Sequence, residues 1–274
     1  RFGEDDGLYE GIQAKDGFYY LVSLHRGLFV LDPAYQIVAN YREEHNLGIG
    51  SLYSVLEDQQ SNIWLSGTPS ITQMLPPHRL SSYKPGTQST IIDRLVPIGG
   101  KLVATGDGVF QLKAGQSQLA PTKFEALIDS KRIYFDAIVY KNHFLYAGSG
   151  GVFARLINEP EQEFSNILKT GWARSLKVDP LTNKLVVSSY EGLFIVEYLN
   201  GEWSTSKVED LADELEFVAV QDNGVIWAGT ATQELYRVEN AQFLGKATKV
   251  EKFIDKDGLG LGNVMPFKLS SGVV

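Results

Sequence analysis

Apolar and polar residues alternate through residues 51–56, break at an acidic and amide run over residues 57–62, and alternate again around Trp64. Period-two alternation on both sides of a polar break predicts two strands joined as a hairpin. The pattern returns over residues 217–230, with Asp222-Asn223-Gly224 at the break and Trp227 in the place of Trp64. A hairpin that recurs this closely is a repeat unit, and the rest of the chain reads as further copies.

The most regular marker is a glycine followed by an apolar residue and phenylalanine. It stands at Gly27-Leu28-Phe29, Gly108-Val109-Phe110, Gly151-Val152-Phe153 and Gly192-Leu193-Phe194, with weaker copies from Ser70 and Glu234. The steps are 43, 38, 43, 41 and 42 residues. The glycine fits a tight turn with positive φ. Before each marker lies an apolar strand ending in small residues, such as LVATG at 102–106. Before that lies another strand, such as FDAIVYK at 135–141. A more polar strand follows each marker: IVANYRE from 37, LSSYKP from 80, SQLAPTK from 117, FSNILKT from 164, WSTSKVE from 203 and KVEKFID from 249. Four antiparallel strands in about 42 residues predict the blade of a β-propeller. The 208–216 segment VEDLADELE reads as a helical turn or two between blades.

A second marker, Asp-Gly-Leu at residues 6–8 and 257–259, recurs after 251 residues, six steps of the period. Residues 262–274 then read as the inner strands of a further unit, and residues 1–3 as its outer strand. Sharing a blade between the two ends would remove open sheet edges. The expectation is one all-β domain over residues 1–274. It is a propeller of four-stranded antiparallel blades, seven in number with the last incomplete. Six blades is the alternative.

Composition narrows the function. Hydrophobic residues make up 43% of the chain, enough for a large core. The net charge of −8 argues against nucleic acid or an anionic membrane surface as partner. Without cysteine there is neither disulfide nor thiolate chemistry. No apolar run reaches membrane-spanning length. The chain begins with Arg1, so it reads as an excised piece of a larger protein.

Residues 51–68 resemble the two-component regulator propeller repeat: apolar strand, Glu-Asp, polar break, Ile-Trp, small residues, Gly-Thr. Residues 217–230 match it nearly as well, and the Asp-Gly-Leu joins are typical of it. Units three to five lack the tryptophan. Such repeats form the extracytoplasmic sensor part of bacterial hybrid histidine kinases and of some membrane-bound diguanylate cyclases. A β-sandwich, a transmembrane helix and an output domain usually follow in those proteins. The resemblance therefore implies a periplasmic input module whose parent protein is membrane-anchored. It carries no catalytic residues.

The residues themselves agree with a non-enzymatic reading. Glu57 and Asp58 are adjacent on a hairpin and point to opposite faces, so they cannot flank one bond. His25, His45, His78 and His143 lie in different units without metal-ligand spacing. The loop DKDGLGLGN at 255–263 lacks the closing glutamate of a calcium loop and reads as a turn. There is no nucleophile elbow. No metal or other cofactor is expected. Trp64 and Trp227, mid-strand, should pack between blades.

Binding is expected on the face formed by the turns between second and third strands and by the joins between units. There the repeat copies differ most, and packing does not dictate the residue. His25, Arg26, Asp107, Tyr190 and Glu191 lie in these turns. Trp172 and Arg174 open an inner strand. The arginines can donate to carboxylate or hydroxyl oxygens, and Trp172 and Tyr190 can stack on a flat ligand such as a sugar ring. The partners expected are a small molecule, an oligosaccharide among them, or a neighbouring domain of the parent sensor. A homodimer is allowed. The rivals are a propeller lyase or glycan hydrolase, with Asp93, Arg94, Asp136 and Arg174 as its thin inner-strand inventory, and a protein-binding scaffold.

Overall fold

The computed structural model describes residues 7–42, 50–75, 79–83, 91–98, 100–113, 123–128, 132–159, 163–209, 211, 214–241, 249–259 and 266. They form a β-propeller of six blades, each a sheet of four consecutive antiparallel strands. Blade one holds β1 (Leu8–Gln13), β2 (Tyr19–Ser23), β3 (Gly27–Leu31) and β4 (Ile37–Tyr41). Blade two holds β5 (Ser51–Glu57), β6 (Ile63–Thr68), β7 (Ile71–Leu75) and β8 (Arg79–Tyr83). Blade three holds β9 (Ile92–Ile98), β10 (Lys101–Gly106), β11 (Val109–Lys113) and β12 (Lys123–Ile128). Blade four holds β13 (Tyr134–Tyr140), β14 (His143–Gly148), β15 (Gly151–Leu156) and β16 (Ser165–Leu168). Blade five holds β17 (Ala173–Val178), β18 (Leu185–Ser189), β19 (Gly192–Leu199) and β20 (Glu202–Lys207). Blade six holds β21 (Leu215–Val220), β22 (Ile226–Thr230), β23 (Leu235–Glu239) and β24 (Lys249–Phe253). The chain divides into two compact units, residues 1–134 and 135–274, with the division one residue into β13.

Among the described residues there are six blades, the alternative count, rather than seven. The first and last sheets each complete four strands from consecutive segments, so neither borrows a strand from the other end of the chain. Residues 1–3 and 262–274, read as parts of a seventh blade, lie outside the described residues apart from Pro266. The described outer strand of blade three is Lys123–Ile128. Residues 117–122, which begin the strand expected there, lie outside the described residues. The stretch over 208–216 is not helical among its described residues. Its last two residues begin β21, because Leu215 and Phe217 are needed in the core.

The second strands are near-continuous apolar runs because both faces are covered. All six residues of β14 and all five of β18 are buried. The fourth strands are the exposed edges and are accordingly polar, as in β20. Within each unit, apolar clusters fill the spaces between consecutive blades. Val22, Leu28, Leu52 and Leu65 join blades one and two, and Trp64, Ile71, Ile92 and Leu102 join two and three. In the second unit, Leu145, Ala147, Leu176 and Leu185 join blades four and five, and Leu193, Ile195, Val218 and Ile226 join five and six. Trp64 is 3% exposed and donates its indole N–H to Asp58 Oδ2 at 2.8 Å.

Trp227 departs from the expected packing. It is half-buried against Phe253 and Arg237 of its own blade. Gln221 stands six residues before it, where Asp58 stands before Trp64, and the Trp227 indole N–H has no partner.

The marker glycines have a steric reason. Gly27 (φ 77°) and Gly151 (φ 121°) lie against the outer strand of their own blades. A Cβ there would come within 2.0 Å of Tyr41 O and 1.9 Å of Leu168 O respectively.

Candidate functional site

Five of the inner strands carry a bulge at the same place. The pairing with the second strand skips one residue at Tyr9, Tyr53, Asp93, Arg174 and Glu216. Phe135 occupies the same place in the blade-four sequence. A bulge bends its strand and re-aims a side chain, and a bulge repeated blade after blade re-aims a set of them. In the first unit, the Tyr9 and Tyr53 rings meet edge to face with centroids 5.6 Å apart.

The residue after the bulge ties neighbouring blades together. Glu10 Oε2 accepts the backbone N–H of Val55 at 3.0 Å. Ser54 Oγ accepts that of Leu95 at 3.3 Å, and Asp136 Oδ2 that of Leu176 at 2.9 Å. Each bond crosses from one inner strand to the next. The acids at 10 and 136 are therefore structural acceptors. Arg94 lies 3.9 Å from Glu10, which completes that network.

In the second unit the bulge positions converge into one cluster. The Arg174 guanidinium lies 3.8 Å from the centroid of the Phe135 ring and 5.7 Å from that of Tyr190. Its Nη2 is 3.4 Å from Glu216 Oε1, and the Tyr190 hydroxyl donates to the same oxygen at 3.0 Å. Only 12% of the Arg174 side chain and 8% of the Glu216 side chain are exposed. The Arg174 Nε–H is buried without a hydrogen-bond partner. Trp172 covers the cluster. Its ring is stacked on Tyr190, 6.2 Å between centroids and 26° between planes, and tilted against Phe135 at 5.5 Å. Yet Trp172 remains 37% exposed.

Local structure fixes each of these side chains. Trp172 bridges Ser149 just before β17, and its carbonyl accepts the Tyr190 N–H at 3.1 Å. Glu191 is turned back, with Oε1 accepting the Gly171 N–H at 2.8 Å. Thr170 and Ser189 share a buried hydrogen bond beneath the turn. The Tyr190 phenol is pushed above its ordinary pKa by burial, which outweighs the opposing charge of Arg174, with Glu216 adding to the upward shift. It stays a neutral donor at physiological pH.

Of the residues singled out in the sequence, Trp172, Arg174, Tyr190 and Glu191 come together. His25, Arg26 and Asp107 belong to the first unit. The backbone N–H groups of His25 and Arg26 donate to Ser23 Oγ, and Asp107 Oδ2 accepts the Ile91 N–H at 3.1 Å. His25 and Asp107 thus sit in locally capped turns. Arg174, expected to donate to carboxylate or hydroxyl oxygens, is paired through one nitrogen with Glu216. Phe135 and Glu216 were not singled out. Aligning the inner strands on the residue before the core-facing run would have placed both in register with Arg174. Among the described residues, no group of three or more His, Asp or Glu side chains is arranged to hold a metal ion.

No protein-family model matches the chain, and no curated protein matches it in sequence. Solved structures do match in fold. A catalytically inactive virginiamycin B lyase from Staphylococcus aureus, solved with quinupristin, has a TM-score of 0.72 and 9% identity over 98% of this chain and 92% of that one. The WD40 propeller domain of Doa1 has a TM-score of 0.62 and 15% identity over 98% and 85%. The extracellular domain of BT4673 from B. thetaiotaomicron, described as a hybrid two-component system, has a TM-score of 0.58 and 10% identity. That match spans 90% of this chain and 40% of that one. At such identities the likeness establishes the propeller fold and leaves function to the site.

Proposed function

We propose that this propeller is the extracytoplasmic, ligand-binding module of a bacterial two-component-type sensor. Its ligand docks on Trp172 and Tyr190, beside the Arg174–Glu216 pair, and biases a kinase or cyclase output domain of the parent protein. The observation that carries this reading is the state of Trp172. Trp64 is covered and Trp227 half-buried, whereas Trp172 is exposed. Trp172 is 37% exposed and packs on Tyr190 and Phe135, the two rings that flank a buried arginine whose Nε–H lacks an acceptor. An exposed aromatic platform beside convergent polar donors suits a cyclic ligand rich in oxygen acceptors, such as an oligosaccharide. The repeat resemblance of residues 51–68 and 217–230 and the fold likeness to the BT4673 extracellular domain support the sensory role and a periplasmic location.

The lyase likeness raises turnover as the second reading. The site favours binding. Glu216 Oε1 already receives both the Tyr190 hydroxyl and Arg174, so the carboxylate is poorly placed to act as a free general base. An array of immobilised oligosaccharides, probed with the chain and with Trp172→Ala, tests the proposal. Binding to a defined set of glycans, lost in the variant and without cleavage, is the expected result. Glycan binding that Trp172→Ala leaves unchanged contradicts the assigned site, and cleavage abolished by Glu216→Gln establishes the enzyme.

A further inference from the structure

A cavity lies in the first unit, between the hairpin ends of blades two and three. It measures about 340 Å³, within the range of small-molecule sites. Leu56, Trp64, Pro97, Leu102 and Leu112 supply apolar walls, and Lys15, Lys101, Glu57 and Asp58 stand around them. Both acids are already engaged. Asp58 accepts four donors: the backbone N–H groups of Gln60 and Asn62, the Asn62 side-chain amide and the Trp64 indole. Glu57 accepts the Lys15 backbone N–H at 2.9 Å and faces the Lys15 ammonium at 3.8 Å, while that ammonium also donates to Asp58 O at 3.1 Å. Among the described residues, Lys101 has no such partner, and it stands exposed in the lining.

We infer that this cavity binds a monocarboxylate with an apolar body, its hydrocarbon against Leu56, Leu102 and Leu112 and its carboxylate on the Lys101 ammonium. The apolar walls select the body of the ligand by removing it from water. The one uncommitted charge selects the head group, because a strongly hydrated ammonium gains from a carboxylate and repels a cation. The inference goes beyond the sensory reading and does not depend on it, since the cavity and the Trp172 cluster lie in different units.

Calorimetric titration of the whole chain with octanoate, 1-octanol and octylammonium tests it. Saturable octanoate binding is expected, tighter than octanol, with octylammonium weakest, together with a change in tryptophan emission that Trp64→Phe abolishes. Lys101→Met should weaken octanoate roughly tenfold, the scale of losing a hydrogen bond to a charged group, leave octanol unaltered, and be rescued by Lys101→Arg. Leu112→Trp should fill the space and remove both ligands while the circular dichroism stays that of the wild type. Trp172→Ala should change none of this. Absence of saturable octanoate binding overturns the inference, as does octylammonium binding as tightly as octanoate, or octanoate affinity that Lys101→Met leaves intact.

Discussion

Asp136 Oδ2 accepts the backbone N–H of Leu176 at 2.9 Å, so a carboxylate on the inner strand of blade four holds the inner strand of blade five. Asp136 is 2% exposed, and the Ser175 hydroxyl also donates to the same oxygen. The pairs Glu10–Val55 and Ser54–Leu95 repeat the arrangement in the first unit. Among the described residues the named strands of each blade form a separate sheet, and these side chains add directed bonds between neighbouring inner strands.

Removing the Asp136 acceptor should leave a buried N–H unsatisfied. Asp136→Ala is expected to lose about 1–3 kcal/mol in urea unfolding. Asp136→Asn, which keeps a carbonyl oxygen at that place, should lose less. Equal losses for the two would show that the bond to Leu176 contributes nothing particular.

Trp64→Ala should destabilise by about 3–5 kcal/mol, as for a large aromatic removed from a core. The ring packs among Tyr83 and Phe124 and the apolar residues of blade three. A loss below about 1 kcal/mol would contradict the packing described.

Asp58 gives a pH signature. Burial disfavours its ionised form, but donors from Trp64, Asn62 and Gln60 outweigh this and hold its pKa below the ordinary 3.8. A carboxyl whose pKa is depressed by folding adds stability that is fully present above its unfolded pKa. That stability is lost as pH falls through the folded value. Urea midpoints of the wild type should therefore fall more steeply than those of Asp58→Asn below about pH 4. The offset between the two proteins should stay constant from pH 6 to 8. An offset independent of pH down to 2 would contradict the assignment.

Gly151→Ala should cost more than about 1 kcal/mol, because the new methyl meets Leu168 O and the residue cannot relax from positive φ. Gly201 also has positive φ (87°) but open space around it, so Gly201→Ala should cost less. Thermal unfolding of the two variants compares them directly.

The repeat, the strand order and most strand positions were legible in the sequence, because period-two patterning and turn residues act locally. The number of blades was not. The end segments carry strand-like residues, and patterning cannot say whether a strand completes a sheet of its own or joins one begun at the other terminus. Part of the site was legible as well. Tyr190 breaks the repeat where other copies carry small or polar residues, and Trp172 puts a large aromatic ring at the start of an inner strand. Phe135 looked like one more apolar strand residue. Glu216 was hidden in an acidic run that resembles a helical turn. What gives both a role is the bulge, a register skip set by pairing with the second strand, and a single strand's pattern cannot reveal it.

The most direct test of the sensory account is hydrogen exchange measured with and without the oligosaccharide that the array identifies. Protection is predicted at residues 135–137, 171–176, 189–191 and 215–217, where the bulge residues and the Trp172 platform meet. Protection confined to the opposite turns at 57–62, 141–142 and 179–183 would contradict it.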